Sequence, residues 1–349
     1  MKKLFASILS LGFVAASLSA CGGPQVMPMN PAFGQQRMLA PQQQMMMAQQ
    51  SRLRGFSTPE AAAGNTLRIA SYNIRNLFDG IPAPGGPPEQ PKPEKELIAL
   101  GEAMRAINAD VVALQEVETK EVLTQFRDKY IRDMGYREVV LIDANDPRGI
   151  DVALFSRYPV IDVKTHKDLR FPVPGQGEQG FSRDLLQVRI QGPNNYIFTA
   201  FVVHLKSKHG AEAADAKRRA EAEQINRIVS EFQRQNPREN VVVLGDFNDT
   251  VQAPTIAPVV NPQVSGLGLY DIIHEEFGMQ PWVFTYHPQK YRSRIDYILL
   301  NQNMKNEYIP RSVQLYKPSK EGEQWKNLFF YDASDHIPIT IDLNISQDR

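Results

Sequence analysis

The stretch Val241-Val242-Val243-Leu244-Gly245-Asp246-Phe247-Asn248-Asp249 decides how this chain is read. Four apolar residues run unbroken into Gly245, whereas a strand with one wet face alternates apolar and polar positions. The run therefore predicts a strand buried on both faces, at the centre of an α/β sheet. Where it stops, Asp246 and Asn248 stand two positions apart. A carboxylate at the end of a buried strand needs a cation or a hydrogen-bond network to leave water. Gly, Asp and Asn also favour plain turns. The stretch alone leaves a site and a turn both open.

Other apolar runs end in the same way. Residues 67–74 alternate as a strand and deliver Asn73; residues 110–116 end in Gln115-Glu116; residues 196–205 lead into His204-Leu205-Lys206-Ser207-Lys208. A strand over 151–157 starts on Asp151 and is closed by Pro159, and two late strands begin near Asp296 and at Ser334-Asp335-His336. Helices are expected between them over 94–108, 120–134 and 211–235. The last carries Ile225, Ile228, Val229 and Phe232 on one face and Arg218 with Arg219 on the other. Strands partly separated by helices and partly by hairpins predict mixed sheets covered by helices. Singly, each polar strand end reads as a turn amide, a helix cap, a core histidine or a surface charge. Together they point to one rim of the sheet, where sites form.

Three further stretches are read as carrying no catalytic group. Residues 175–180, Gly-Gln-Gly-Glu-Gln-Gly, match a dinucleotide loop in form. No strand is expected before it and a strand rather than a helix follows from Leu185, so a nucleotide loop is rejected. The Pro/Gly-rich loop over 80–93 is too proline-dense for a helix or a central strand and is expected to shape the rim near Asn73. The aromatic cluster Trp325, Phe329, Phe330 and Tyr331 is expected to be a packed loop, with stacking on bases or contact with lipid as the alternative.

The chain begins differently. Lys2 and Lys3 precede an apolar stretch from Leu4 to Leu18, and Leu18-Ser19-Ala20-Cys21 follows. The apolar run is too short to span a bilayer well. It resembles a bacterial lipoprotein signal, which implies removal of residues 1–20 and lipidation of Cys21. Gly22 resembles the pattern of lipoproteins sent to the outer membrane of diderm cells. Cys21 is the only cysteine, which excludes disulfides and cysteine-bound zinc. Residues 21–66, rich in Gln, Met and Pro, read as a disordered tether of the kind that reaches on the order of 40 Å. Residues 67–349 are expected to form the folded domain. The whole chain balances 39 basic against 39 acidic residues; the first 66 hold five basic and one acidic, leaving the domain 34 and 38. That surplus of acid excludes a protein that coats nucleic acid through a basic surface. Action on a polyanion then requires a local site and a metal ion.

Asn73, Gln115-Glu116, Phe181-Ser182-Arg183-Asp184, His204, Gly245-Asp246-Phe247-Asn248, Asp296 and Ser334-Asp335-His336 occur in an order that resembles the endonuclease/exonuclease/phosphatase superfamily. The likeness covers residues 67–345, and its most specific parts are Gly-Asp-Phe-Asn and Ser-Asp-His. It implies a four-layer α/β sandwich, two face-to-face mixed sheets flanked by helices. Phosphodiester hydrolysis needs an activated water and cancellation of charge on the phosphate and leaving oxygen. Hard oxygen ligands suit Mg²⁺ or Mn²⁺. The resemblance gives Glu116, Asn73 and Asp335 to the metal. It makes His336 the phosphate ligand or proton shuttle, fixed by Asp296, with His204 and Arg183 on phosphate oxygens and Asp246 with Asn248 on the water. Asp151 is expected behind His204. The expected function is a metal-dependent phosphodiesterase, first of all a nuclease held in the cell envelope through Cys21, and a monomer. A lipid head-group phosphatase or sphingomyelinase-type enzyme is the first alternative, and a non-catalytic surface lipoprotein the second.

Overall fold

A computed structural model describes residues 64–82, 86–281, 283–288, 291–316 and 328–348. The signal 1–20, Cys21, the tether up to residue 63, and Trp325 lie outside the described residues. The first strands are β1 (Thr66–Leu77), β2 (Val111–Val117), β3 (Glu138–Leu141), β4 (Asp151–Ser156) and β5 (Val160–Lys164). Next come β6 (Phe171–Val173), β7 (Gly177–Gln179), β8 (Leu186–Gln191), β9 (Ile197–His204) and β10 (Asn240–Asp246). The last are β11 (Tyr270–Asp271), β12 (Asp296–Leu300), β13 (Gln314–Leu315) and β14 (Ile339–Asn344). Three longer helices are α1 (Glu94–Ile107), α2 (Lys120–Tyr130) and α3 (Ala211–Gln235).

Six strands form a first sheet in the order β13-β14-β1-β2-β4-β3, and six a second in the order β11-β12-β10-β9-β8-β5. In each, one central pair is parallel, β1 with β2 and β9 with β10, and the other pairs are antiparallel. Strand parity shows how the layers stack. Val242 and Leu244 of β10 join Leu67, Ile69, Val111 and Ala113 of the first sheet in one core between the sheets. Val241 and Val243 point the other way, into a core with Ile225 and Val229 of α3. Ala70, Tyr72, Val112 and Leu114 pack on Leu100, Met104, Leu123 and Phe126 of α1 and α2. The layers therefore run helices, sheet, sheet, helix, the four-layer sandwich expected. A buried Leu at such a position, Leu244 for example, stabilises the fold so that truncation to Ala costs about 2–5 kcal/mol.

Gly245 belongs to β10 for a steric reason. Its φ is +142°, and a Cβ there would sit 2.0 Å from the carbonyl oxygen of Val203 in β9. Only glycine lets the two parallel strands approach this closely.

Two expectations need correcting. A strand does lead into Gly-Gln-Gly-Glu-Gln-Gly: β6 and β7 form a hairpin, and Gly175 and Gly177 take positive φ in its turn. Pro172 hid β6, since proline argues against a strand except at an edge. No helix follows, so the rejection of a nucleotide loop stands. Arg218 is not on a wet face either. It is fully buried and donates from Nη2 to Asp249 at 2.8 Å, with Nη1 on the Lys206 carbonyl at 3.0 Å. Arg218 stands seven residues before Ile225 and so continues the buried stripe of α3, under the loops that leave β9 and β10, while Arg219 stays exposed and pairs with Glu223.

Candidate active site

The second sheet supplies three groups by simple alternation. His204 continues the parity of Phe198, Ala200 and Val202; Asp246 that of Val242 and Leu244; Asp296 that of Ile298 and Leu300. All these apolar residues face the space between the sheets. In the ladder Asp246 lies directly opposite both His204 and Asp296. His336, just before β14, completes the group: its Nδ1 is 2.9 Å from Asp296 Oδ2. Asp246 Oδ2 lies 3.6 Å from His204 Nε2 and 3.7 Å from His336 Nε2.

Burial sets the charges. Burial works against a charged His336, but Asp296 and Asp246 override it and hold the ring protonated, with its pKa raised to about 10. Burial, then Asp296, pushes Asp246 up to about 7. His204 goes the opposite way. Burial and the cations Arg183, His336 and Arg148 hold it well below its ordinary value, so it is a neutral imidazole. Two histidines flank one carboxylate, one charged and one neutral.

The first sheet reaches the same point with more distortion. Asn73 shares the inward parity of Leu67 and Ile69, and its Nδ2 donates to Asp246 Oδ2 at 3.0 Å and to Glu116 Oε1 at 3.1 Å. It ties the two sheets together. Strict alternation would turn Glu116 toward the helices, because Val111 and Ala113 face inward. The ladder skips Glu116 on both sides of β2, and its φ is +65°. Such a bulge re-aims a side chain, and Glu116 Oε2 accepts the Asn76 N–H at 3.1 Å. Arg75 and Asn76, which follow Asn73, have φ of +51° and +47°. Left-handed non-glycine residues concentrate here, as they do where backbone strain serves a site. Lys92, from the proline-rich loop, secures that turn by donating to the carbonyls of Ile74 and Arg75. Ser334 donates from Oγ to the Asn73 carbonyl at 2.7 Å and accepts the His336 N–H at 3.1 Å, which explains a serine beside the Asp-His pair.

The profile described as Endonuclease/Exonuclease/phosphatase family matches residues 70–336. The chain belongs to that family. No curated relative matches it by sequence. Among solved structures it is similar to the human Nocturnin catalytic domain with bound sulfate, at 18% identity and TM-score 0.56, over 80% of this chain and 94% of that one. It is similar to an endonuclease/exonuclease/phosphatase from Bacteroides vulgatus at 20% identity and TM-score 0.54, over 80% and 98%. D. rerio TDP2 complexed with single strand DNA product matches at 18% and TM-score 0.53, over 80% and 99%. These likenesses are of fold. Family membership makes the chain a phosphoric ester hydrolase by descent.

The remaining expected site residues fall into place unequally. Asn248, at φ +54°, donates its backbone N–H to Asp246 Oδ1 at 2.8 Å and its side-chain Nδ2 to the Leu205 carbonyl at 3.0 Å. Asp335 is half-buried; with Glu116 and Asp246 its charge acts on the Tyr286 phenol, whose pKa is raised by burial first and by Asp335 next. Arg183 is not an open fork. It is buried, ion-paired through Nε with Asp146 at 3.0 Å, and donates from Nη1 to the Leu205 carbonyl at 3.2 Å. Asp151 does not back His204. Its parity is that of Ala153 and Phe155, which face the helices, and its Oδ1 accepts the Ala144 N–H at 3.0 Å. His204 Nδ1 has no hydrogen-bond partner among the described residues. Of the aromatic cluster, Phe330 is buried on the α1–α2 side and Tyr331 packs edge-on against His287, so both are packed as expected, but in a short helix, Leu328–Ala333, rather than a loop.

Four contributors escaped the sequence reading. Thr285 Oγ1 accepts the backbone N–H groups of Ile295 and Asp296, both at 3.1 Å, and so holds the start of β12. Tyr286 lies against the His336 ring with centroids 5.2 Å apart. Arg218 and Asp249 brace the loop after β10. The one available signal was Asp249 itself, a further acid just past Asn248 that needed a cation.

The donor set fits a hard divalent cation. Ligand atoms of Asp246, Asp296 and His336 lie within 4.8 Å of one another, but a protonated His336 has no lone pair to give, so the oxygens left for a cation are those that face this group from the first sheet, above all the half-open carboxylate of Glu116. Glu116 and Asn73 adjoin this group through the shared Nδ2 of Asn73. An acid-rich oxygen set beside one imidazolium suits a hard divalent cation of the kind that family enzymes use.

Proposed function

We propose that this chain is a metal-dependent phosphodiesterase that cleaves nucleic acid outside the cytoplasmic membrane, to which lipidated Cys21 tethers it. The observation that carries the reading is the continuous contact path Glu116–Asn73–Asp246–His336–Asp296, which joins both sheets at one rim. Asp246 is placed to orient the attacking water and take its proton, because its carboxylate is buried and its basicity raised. His336, held as imidazolium, donates to a phosphate oxygen, and neutral His204 donates a second hydrogen bond. Glu116, with Asn73 and Asp335, would hold a divalent cation that supplies charge cancellation at the phosphate and leaving oxygen. Asn248 and Arg183 act by fixing the Leu205 carbonyl, and through it the loop that carries His204.

The substrate is tested with plasmid DNA, RNA, phosphoinositides and sphingomyelin, each with Mg²⁺, Mn²⁺ or chelator. Cleavage of DNA or RNA that stops in chelator supports the nuclease. Release of head groups alone moves the activity to lipids, a reading that the lipoprotein-like start of the chain favours. His336→Ala and Glu116→Gln are expected to lose about 10²–10⁴-fold in rate while keeping the parent's melting temperature within a few degrees; no turnover of any substrate by the parent, with both variants indistinguishable from it, would reduce the protein to a binding module. Cys21→Ser should move the protein from the membrane to the soluble fraction, and unchanged fractionation would remove the tether from the proposal.

A further inference from the structure

A groove of about 500 Å³ opens between the β6–β7 hairpin, the start of α3 and the loop after His204, and its lining reaches the catalytic segments at Ser182, next to Arg183, and at Lys206, two residues past His204. Its lining includes Arg170, Lys206, Lys217 and His209, with Asp146 as the only acid. That acid is already neutralised: its Oδ2 pairs with Arg183 at 3.0 Å and its Oδ1 with Arg148 at 3.2 Å. Lys206 and Arg170 have no ion-pair partner among the described residues. Burial, then Arg183 close by, holds the Lys206 ammonium below its ordinary pKa, although the carboxylates of Asp146 and Glu221 act the other way. Lys208, by contrast, is engaged with Asp249 at 2.7 Å.

The groove is built rather than incidental. Glu221, almost fully buried in α3, accepts the Ser182 N–H at 2.6 Å and the Lys206 N–H at 2.8 Å. It thereby fixes the two segments that also carry Arg183 and His204. Lys217, itself buried, donates to the Gly180 carbonyl. At Gly180 a Cβ would meet Arg170 Nη1 and Asn145 Nδ2, both at 3.2 Å, so two nitrogens converge where a side chain is missing. The first turn of α3 starts at Gly210 with no capping side chain, which leaves its amide donors on the same side. Lys217 is paired with Glu221 at 3.5 Å, but on a domain with a surplus of acid two neighbouring cations without an ion-pair partner among the described residues, Arg170 and Lys206, need a reason.

We propose that this groove binds a second phosphate of the substrate, the backbone phosphate next to the scissile one, and so selects polynucleotides over esters with a single phosphate. The assignment rests on the nuclease reading and sharpens it. One nucleotide beyond the scissile bond fits the volume, which lies within the range of nucleotide-sized sites. Lys206 supplies the continuity, since it follows His204 by two residues and lines the groove.

The test compares a single-phosphodiester reporter with single-stranded oligonucleotides of two to eight nucleotides, using the full chain and the variant Arg170→Ala/Lys206→Ala. The wild type is expected to gain at least tenfold in kcat/KM once a second phosphate is present. In the variant the ratio of kcat/KM for the octamer to that for the reporter should fall at least tenfold. The slope of log KM against log salt should drop by about 0.7 for each phosphate that the variant no longer neutralises. Gly180→Ala removes no charge and should shift the ratio the same way by a smaller factor, which separates filling of the groove from a folding defect. Hydrolysis of oligonucleotides with an unchanged ratio and salt slope overturns the groove alone. A ratio that falls only for phosphoinositide vesicles overturns the polynucleotide assignment. Failure of the wild type to cleave any oligonucleotide, with the reporter still turned over, overturns the nuclease reading along with it.

Discussion

The two sheets contribute to one site by different means. On the second sheet His204, Asp246 and Asp296 are ladder neighbours in plain alternation, all facing inward, and each is almost completely buried. On the first sheet only Asn73 follows alternation. Glu116 arrives through a bulge, and the turn after Asn73 holds two left-handed residues, Arg75 and Asn76. One half of the site is therefore rigid ladder with steric limits. The other half stores strain and leaves Glu116 partly open to solvent, as a residue meant for an exchangeable ligand must be.

The sharpest contrast comes from glycine exchanged in opposite directions. Gly245→Ala should be the most damaging change, because its Cβ would overlap the Val203 carbonyl and its φ is closed to alanine. A loss of about 4 kcal/mol or more is expected, read as insolubility or a collapse of the urea midpoint. A well-folded Gly245→Ala would show that the β9–β10 ladder has slack. Next in size is Asp151. Burial, then Asp143, pushes its carboxyl up to about 8. A folded pKa above the unfolded value of about 3.9 means that the native state keeps the proton longer, so stability falls as pH rises from about 4 through 8. Asp151→Asn should remove that fall, becoming more stable than the parent by on the order of 2 kcal/mol at pH 8.5 and no more stable at pH 4. Urea melts of both proteins across that range decide it, and parallel curves would place Asp151 in a wetter setting. The smallest effect is at Asn76. Its amide group makes no contribution through Oδ1, which has no partner among the described residues, and its φ is one that glycine accepts freely. Asn76→Gly should change stability by less than about 1 kcal/mol. A larger loss would mean that the strained half depends on side chains as much as the rigid half does.

The same contrast explains what the sequence made legible. The unbroken run before Gly245 reported a strand buried on both faces, and it is one. Asn73, His204, Asp246 and Asp296 were readable as a set because alternation carries each of them inward from apolar residues of matching parity. Asp151 fails on that ground: it looks like another polar strand end, but its parity is that of Phe155, toward the helices. Glu116 was legible as a polar strand end beside Gln115, but its inward aim was not, since it violates parity and no local feature announces a bulge at that acid. Arg218 was misread because its charge was taken as the mark of a wet face, although it stands two helical turns before Ile225 and so shares the buried stripe. Arg183 had the right neighbourhood and a different task, because its partner Asp146 comes from a loop 37 residues earlier in the chain.

The central claim is that both sheets meet at Asp246 to hydrolyse a phosphodiester. The direct measurement is the initial rate on an oligonucleotide for the wild type and Asp246→Asn, each stripped with chelator and then given back Mg²⁺. The account predicts that the wild type falls silent without metal and recovers with it, while Asp246→Asn stays folded and at least about 10³-fold slower than the metal-loaded wild type under both conditions. Asp246→Asn recovering to within a fewfold of the wild type, or wild-type cleavage that ignores the chelator, would contradict it.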